Sequence, residues 1–113
     1  MTDISQYLDV DALNELKQVM GEEFPLLIKT FENDSVVRIE LIKEAIASAD
    51  PDAVRRAAHS FKGSASNMGA TTLTELCRAV EEIGAKGETA GCDQLLEQII
   101  ESYAQVQEGL TKL

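Results

Sequence analysis

Apolar residues recur along most of this chain at steps of three and four, the spacing that gathers side chains on one face of an α-helix. The first run spans about Asp9 to Met20, with Asp9 or Asp11 as candidate N-cap and Leu13, Leu16, Val19 and Met20 on one face. Gly21 separates it from a longer pattern of Phe24, Leu27, Ile28, Phe31, Ser35, Ile39, Ile42, Ile46 and Ala49, a single amphipathic helix of about seven turns. Asp50-Pro51 then reads as an N-cap followed by proline at the first helical position, which starts a third helix that runs to about Met68, before Gly69. Thr72-Leu73-Thr74-Glu75 fits the capping box of a fourth helix, whose buried stripe is Leu73, Leu76, Cys77, Val80 and Ile83. Residues 84–91 carry three glycines and read as a loop, after which Leu95, Leu96, Ile99, Ile100, Tyr103, Val106 and Leu110 mark a fifth helix.

Short connections between long helices predict an all-α fold, an antiparallel four-helix bundle with the short first helix laid across one end. The 113 residues suit one domain, 1–113, with a single core. Aromatic residues at 4% and only two prolines agree with packed helices rather than sheets.

Charge narrows the function. A net charge of −10 argues against nucleic acid and anionic membrane surfaces as partners, because affinity for a polyanion rests on neutralising phosphates with Lys and Arg. No apolar run approaches the ~18 residues of a membrane span, and Met1-Thr2-Asp3-Ile4 lacks the basic and apolar regions of a signal peptide. The expectation is a cytoplasmic monomer. Cys77 and Cys92 have neither C-x-x-C spacing nor a histidine cluster beside them, so no zinc site or redox pair is expected, and Cys77 falls on the apolar stripe of its helix.

The third helix carries the chemistry. On a helical wheel Val54, Ala57, Phe61, Ala65 and Met68 form its core side, while Asp52, Arg55, Arg56, His59, Lys62, Gly63 and Ser66 lie opposite. The only histidine of the chain is thus expected in solvent. Residues 1–50 hold 11 acids and 4 bases, residues 51–80 hold 2 and 4, and residues 81–113 hold 7 and 2, so the only positive stretch surrounds His59. Such a setting suits a phosphate or an acidic partner surface, and equally an ordinary solvated helix face.

Imidazole is a good nucleophile whose neutral form is well populated near neutral pH, and the phosphoramidate it forms is reactive enough to be passed on. Lys62, one turn beyond His59, can place an ammonium near phosphoryl oxygens. Gly63, four residues from His59, costs about 1 kcal/mol of helix stability relative to alanine and leaves an open approach.

The run Ala58-His59-Ser60-Phe61-Lys62-Gly63-Ser64-Ala65-Ser66-Asn67-Met68-Gly69-Ala70 resembles the signature of histidine-containing phosphotransfer (HPt) domains of phosphorelays, with Phe61 where leucine is common. The helix order fits that family along nearly the whole chain. The resemblance implies a four-helix bundle whose exposed histidine takes phosphoryl from the phospho-aspartate of one receiver domain and gives it to another. The partners implied are the receiver domains of a hybrid sensor kinase and of a response regulator. The receiver brings Mg²⁺ and most of the catalysis, and the chain needs no cofactor or metal of its own. Carried over by position, His59 is the phosphorylated residue, Lys62 its electrostatic partner and Gly63 the clearance for docking, while Ser66, Gly69 and Ala70 keep the neighbouring surface low. Glu81 stands where the family has Gln or Glu bonded to the histidine, and Arg55, Arg56 and Asn67 are docking candidates.

Three other readings remain at this level. An independent enzyme lacks support, since the chain has no G-x-x-x-x-G-K-[ST] loop and no second histidine, and autophosphorylation from ATP is not expected. An adaptor bundle would bind partners without passing phosphate. The phosphorylated domain of chemotaxis-type histidine kinases has a similar bundle charged directly by a kinase domain, which a free-standing chain of 113 residues fits less well.

Overall fold

The structure is a computed structural model that describes residues 3–113. Five α-helices follow one another: α1 (Val10–Met20), α2 (Phe24–Ala47), α3 (Pro51–Asn67), α4 (Thr71–Ala85) and α5 (Cys92–Leu110). Single 3₁₀ turns precede α1 (Ile4–Gln6) and α2 (Gly21–Glu23), and there is no strand among the described residues. Helix α3 packs on α2 and α4, and α5 closes the ring against α4 and α2. With connections this short the neighbours run antiparallel, which is the expected four-helix bundle. None of these helices is long and apolar enough to cross a membrane.

The core is built from the predicted stripes. Phe31 and Ile42 of α2, Val54 and Phe61 of α3, Leu73, Cys77 and Val80 of α4, and Ile99 and Val106 of α5 are all buried. On α3 it is Ala58, one turn from Val54, that is fully buried, whereas Ala57 sits at the edge of the core. Val19 leaves the expected face of α1 and is 85% exposed, because it lies about a third of a turn away from Leu13, which is the residue of α1 that enters the core.

Three helix ends follow one rule. At the C-terminus of α2 the Asp50 N–H donates to the Ala45 carbonyl and the Ala49 N–H to Ile46, closing a Schellman turn. The ends of α3 and α4 repeat this pairing with Gly69 (φ 67°) and Gly87 (φ 77°) at the left-handed position. In α2 that position is Ala49, with φ 51°, and it ends the helix two residues before the predicted limit. Asp50 then caps α3, its carboxylate accepting from the Ala53 N–H at 3.2 Å.

Two expectations are corrected. Thr72 does not begin a capping box: α4 starts two residues earlier than that box requires, at Thr71, with Ala70 at the cap position and no side-chain cap. The N-terminal segment supplies one missing acceptor, since the Tyr7 carbonyl takes the Thr71 N–H at 3.1 Å, and the Gln6 carbonyl turns the Thr72 hydroxyl away from the cap by taking its hydrogen at 3.2 Å. Gly84 does not open a loop. It lies buried inside α4, where the α3 backbone comes too close for any side chain.

Ala49 is the one non-glycine residue in the left-handed region among those described, and its side chain is exposed. Ala49→Gly is expected to stabilise the fold by about 1 kcal/mol, which thermal unfolding should register as a rise of about 4–8 °C.

Candidate functional site

His59 lies in the middle of α3, whose core side is fixed by Val54, Ala58, Phe61 and Ala65. Those four anchor the helix rotation, and the wheel then turns position 59 outward. The His59 side chain is 65% exposed. Glu81 approaches from α4 with one carboxylate oxygen, Oε2, 2.6 Å from His59 Nδ1. Its other oxygen, Oε1, is 2.6 Å from the Lys62 ammonium. A single carboxylate thus bridges a ring nitrogen and a cation, both from α3 and one turn apart.

The protonation pattern follows from the charges. Burial pushes the Glu81 carboxyl up, but the hydrogen bonds and charges of Lys62 and His59 together outweigh it and hold Glu81 below the ordinary 4.5. Near neutral pH Glu81 is therefore ionised and can only accept, so the proton between it and His59 belongs to Nδ1. In the neutral ring the lone pair is then left on Nε2, the nitrogen that Glu81 does not hold. Beneath the site, the buried Cys77 thiol is pushed up to about 12 by burial and by the Glu81 charge, against the opposing effect of Lys62. It stays a neutral core group, and among the described residues no cluster of three or more His, Cys, Asp or Glu is arranged to hold a metal ion.

The other sequence candidates separate into two groups. Gly63 is exposed, and a Cβ placed on it would meet nothing within 4 Å. Ser66 and Asn67 are exposed on the same helix, Asn67 lining a shallow groove with Leu27 and Thr30 of α2. Arg55 and Arg56 both reach back to Asp52, at 2.9 and 3.2 Å. These pairs hold Asp52 below the usual carboxylate range, mainly through the Arg55 hydrogen bond.

Gly69 and Ala70 take part in the turn after α3. Ala70 is completely buried and has no surface to offer a partner. Gly69 closes the turn after α3, its carbonyl accepting from the Asp9 N–H at 2.8 Å and its Cα facing Asp9 so closely that a Cβ would stand 3.2 Å from that side chain. Both serve the junction with the N-terminal segment; the burial of Ala70 corrects its assignment to a docking surface, whereas Gly69 stays partly exposed beside Ser66.

Two neighbours of the site were not visible in the sequence. Arg38 of α2 pairs with Asp34 at 2.5 Å and also donates to the hydroxyl of Ser60, next to His59. Leu41 of α2 is half exposed and lines a groove of about 480 Å³ with Arg38, Ala53, Arg56, Ala57 and Ser60. Only the packing of α2 on α3 brings these residues beside position 59, and no local spacing announces it.

Comparison with known proteins agrees with this geometry. The model of the Hpt domain family matches residues 26–109. The sensor protein TorS of Escherichia coli (strain K12) is 36% identical over 78 residues, which are 68% of this chain but only 8% of TorS. The crystal structure of histidine-containing phosphotransfer protein B (HptB) from Pseudomonas aeruginosa PAO1 superposes with a TM-score of 0.90 at 38% identity, covering 94% of this chain and 92% of that one.

A pH dependence follows from the depressed Glu81 carboxyl. Its contribution to stability is fully present above the ordinary 4.5 and is lost as pH falls through the lower folded value. Chemical denaturation of the protein and of Glu81→Gln should differ by about 1–2 kcal/mol near pH 7 and converge in acid. A gap that stays constant down to strongly acid pH contradicts the ionised bridge.

Proposed function

The chain belongs to the Hpt domain family, the histidine phosphotransfer domains of phosphorelay signalling, and from that premise we propose that His59 is the residue that carries the phosphoryl group. The single observation that carries this reading is the division of labour on the ring. Nδ1 is tied to Glu81 at 2.6 Å while the side chain is 65% exposed, which leaves Nε2 as the nitrogen for a partner to meet.

The transfer is a displacement at phosphorus. The Nε2 lone pair attacks the acyl phosphate of a receiver aspartate, an N–P bond forms, the P–O bond breaks, and its electrons return to the aspartate carboxylate. The ring, which keeps its Nδ1 proton, becomes cationic, and the Glu81 carboxylate already lies against that proton to offset the charge. Lys62 is paired with Glu81 before transfer and has a flexible stem, so its ammonium can swing to the new phosphoryl oxygens. The reverse displacement delivers the group to a second receiver. The reaction needs no ATP site in this chain, and the divalent ion belongs to the receiver in this reading.

In this reading the partners are receiver domains of a hybrid sensor kinase and of a response regulator, met in the cytoplasm by a monomer. Gly63 supports a docking role for the surface around His59. An alanine there would meet nothing in this protein, so its absence from a helix interior serves contact with something else. The half-exposed Leu41 and the groove between α2 and α3 extend that surface with apolar area next to His59.

Incubation with a phosphorylated receiver domain should label the protein on His59, and His59→Gln should remain folded and take no label. Label acquired from ATP alone, or retained by His59→Gln, contradicts the proposal. Gly63→Ala should unfold about 0.5–1 kcal/mol later than the parent while its transfer rate falls. An unchanged rate would remove Gly63 from the docking surface.

A further inference from the structure

We propose that Gly84 is a positioning residue for the chemistry of His59: its missing side chain lets α4 come close enough to α3 for the Glu81 carboxylate to hold Nδ1. The inference rests on His59 as the phosphoryl carrier and extends that reading to a residue with no atom at the site.

Gly84 lies three residues after Glu81, on the same side of α4. A Cβ on it would stand 2.7 Å from the Pro51 carbonyl oxygen, 2.8 Å from the Arg55 nitrogen and 3.1 Å from the Arg55 Cα. All three are backbone atoms at the start of α3, Pro51 about two turns and Arg55 one turn before His59. No rotamer change can relieve them, so the helices themselves must separate. Restoring ordinary contact moves the oxygen from 2.7 to about 3.4 Å, a displacement of about 0.7 Å.

That displacement is enough to decide the state of the ring. Added to the 2.6 Å between Glu81 Oε2 and His59 Nδ1, it leaves a separation of about 3.3 Å, outside the usual range of an N–H···O hydrogen bond. The two arms of the bridge respond differently. Lys62 has a long flexible stem and follows the carboxylate, whereas the imidazole has two torsions and cannot. Widening the α3–α4 gap therefore releases His59 before Lys62. Gly63 makes the contrast, since a Cβ there meets nothing within 4 Å.

The test is nitrogen-15 NMR of His59 in the full chain near neutral pH, together with the rate of phosphoryl transfer from a phosphorylated receiver. Gly84→Ala, made in the Ala49→Gly background to keep it folded, is expected to move the neutral ring from the Nδ1–H tautomer toward the Nε2–H tautomer that an unconstrained histidine side chain prefers. Its transfer rate should fall by about tenfold. Glu81→Asp, which shortens the arm by one methylene without touching the helix contact, should reproduce the same tautomer shift. Val106→Ala, a cavity in the core side of α5, should loosen the fold and leave the tautomer unchanged. Retention of the Nδ1–H tautomer in Gly84→Ala overturns the proposal, as does an equal shift in Val106→Ala. The tautomer is read without a partner. Failure of the parent protein to take label on His59 would thus defeat the relay reading and leave the positioning result to be judged on its own.

Discussion

One carboxylate organises this site. Glu81 accepts from the ring of His59 and from the ammonium of Lys62, each at 2.6 Å, from a side chain only 18% exposed. The partial burial is what gives the bridge its effect. In open water the two contacts would each be worth a few tenths of a kcal/mol and would exchange freely, whereas here desolvation strengthens them and their sum keeps the carboxylate ionised. An ionised acceptor on Nδ1 leaves the ring one arrangement in its neutral form, with the nucleophilic nitrogen free. In the proposed relay, the residue that receives the phosphoryl group is thus prepared by a neighbour on another helix.

The bundle exists, in functional terms, to hold that pair of helices in register. Val54, Ala58, Phe61 and Ala65 fix the rotation of α3, and Leu73, Cys77 and Val80 fix that of α4. Helix α1 and the segment before it contribute at the far end of α3, where Tyr7 and Asp9 bond the turn through Thr71 and Gly69. This clamp sets where α4 begins and hence where Glu81 falls along it. The exposed face needs little further structure. Arg55 and Arg56 share the single carboxylate of Asp52, which leaves the cluster with one net positive charge, and the surface beside His59 is kept low by Gly63.

Most of the fold was legible because its signals are local. Asp9 and Asp50 cap their helices as their sequence context predicts, and the spacing of Val54, Phe61 and Met68 placed His59 in solvent. What escaped was set by contacts between distant segments. Thr72 has the chemistry of a cap, but the Gln6 carbonyl engages its hydroxyl and the Tyr7 carbonyl accepts the Thr71 N–H, from 66 and 64 residues away. Gly84 looks like a loop glycine beside Gly87 and Gly91, and only the proximity of Pro51 and Arg55 makes it a helix-packing residue. Ala70 sits inside the family signature, yet it is buried. A motif records which residues recur together, and not which of them reach the surface. The pairing of Lys62 with Glu81 escaped for the same reason, because wheel positions order the residues of one helix and say nothing of the next.

The central claim is that Glu81 holds the Nδ1 proton and so makes Nε2 the nucleophile. It is tested most directly by phosphorylating the nitrogen-15 labelled protein with a charged receiver domain and locating the phosphorus by its coupling to the ring nitrogens. The account predicts that the phosphoryl group of His59 is bonded to Nε2, with the proton still on Nδ1. Phosphorus bonded to Nδ1 would contradict it.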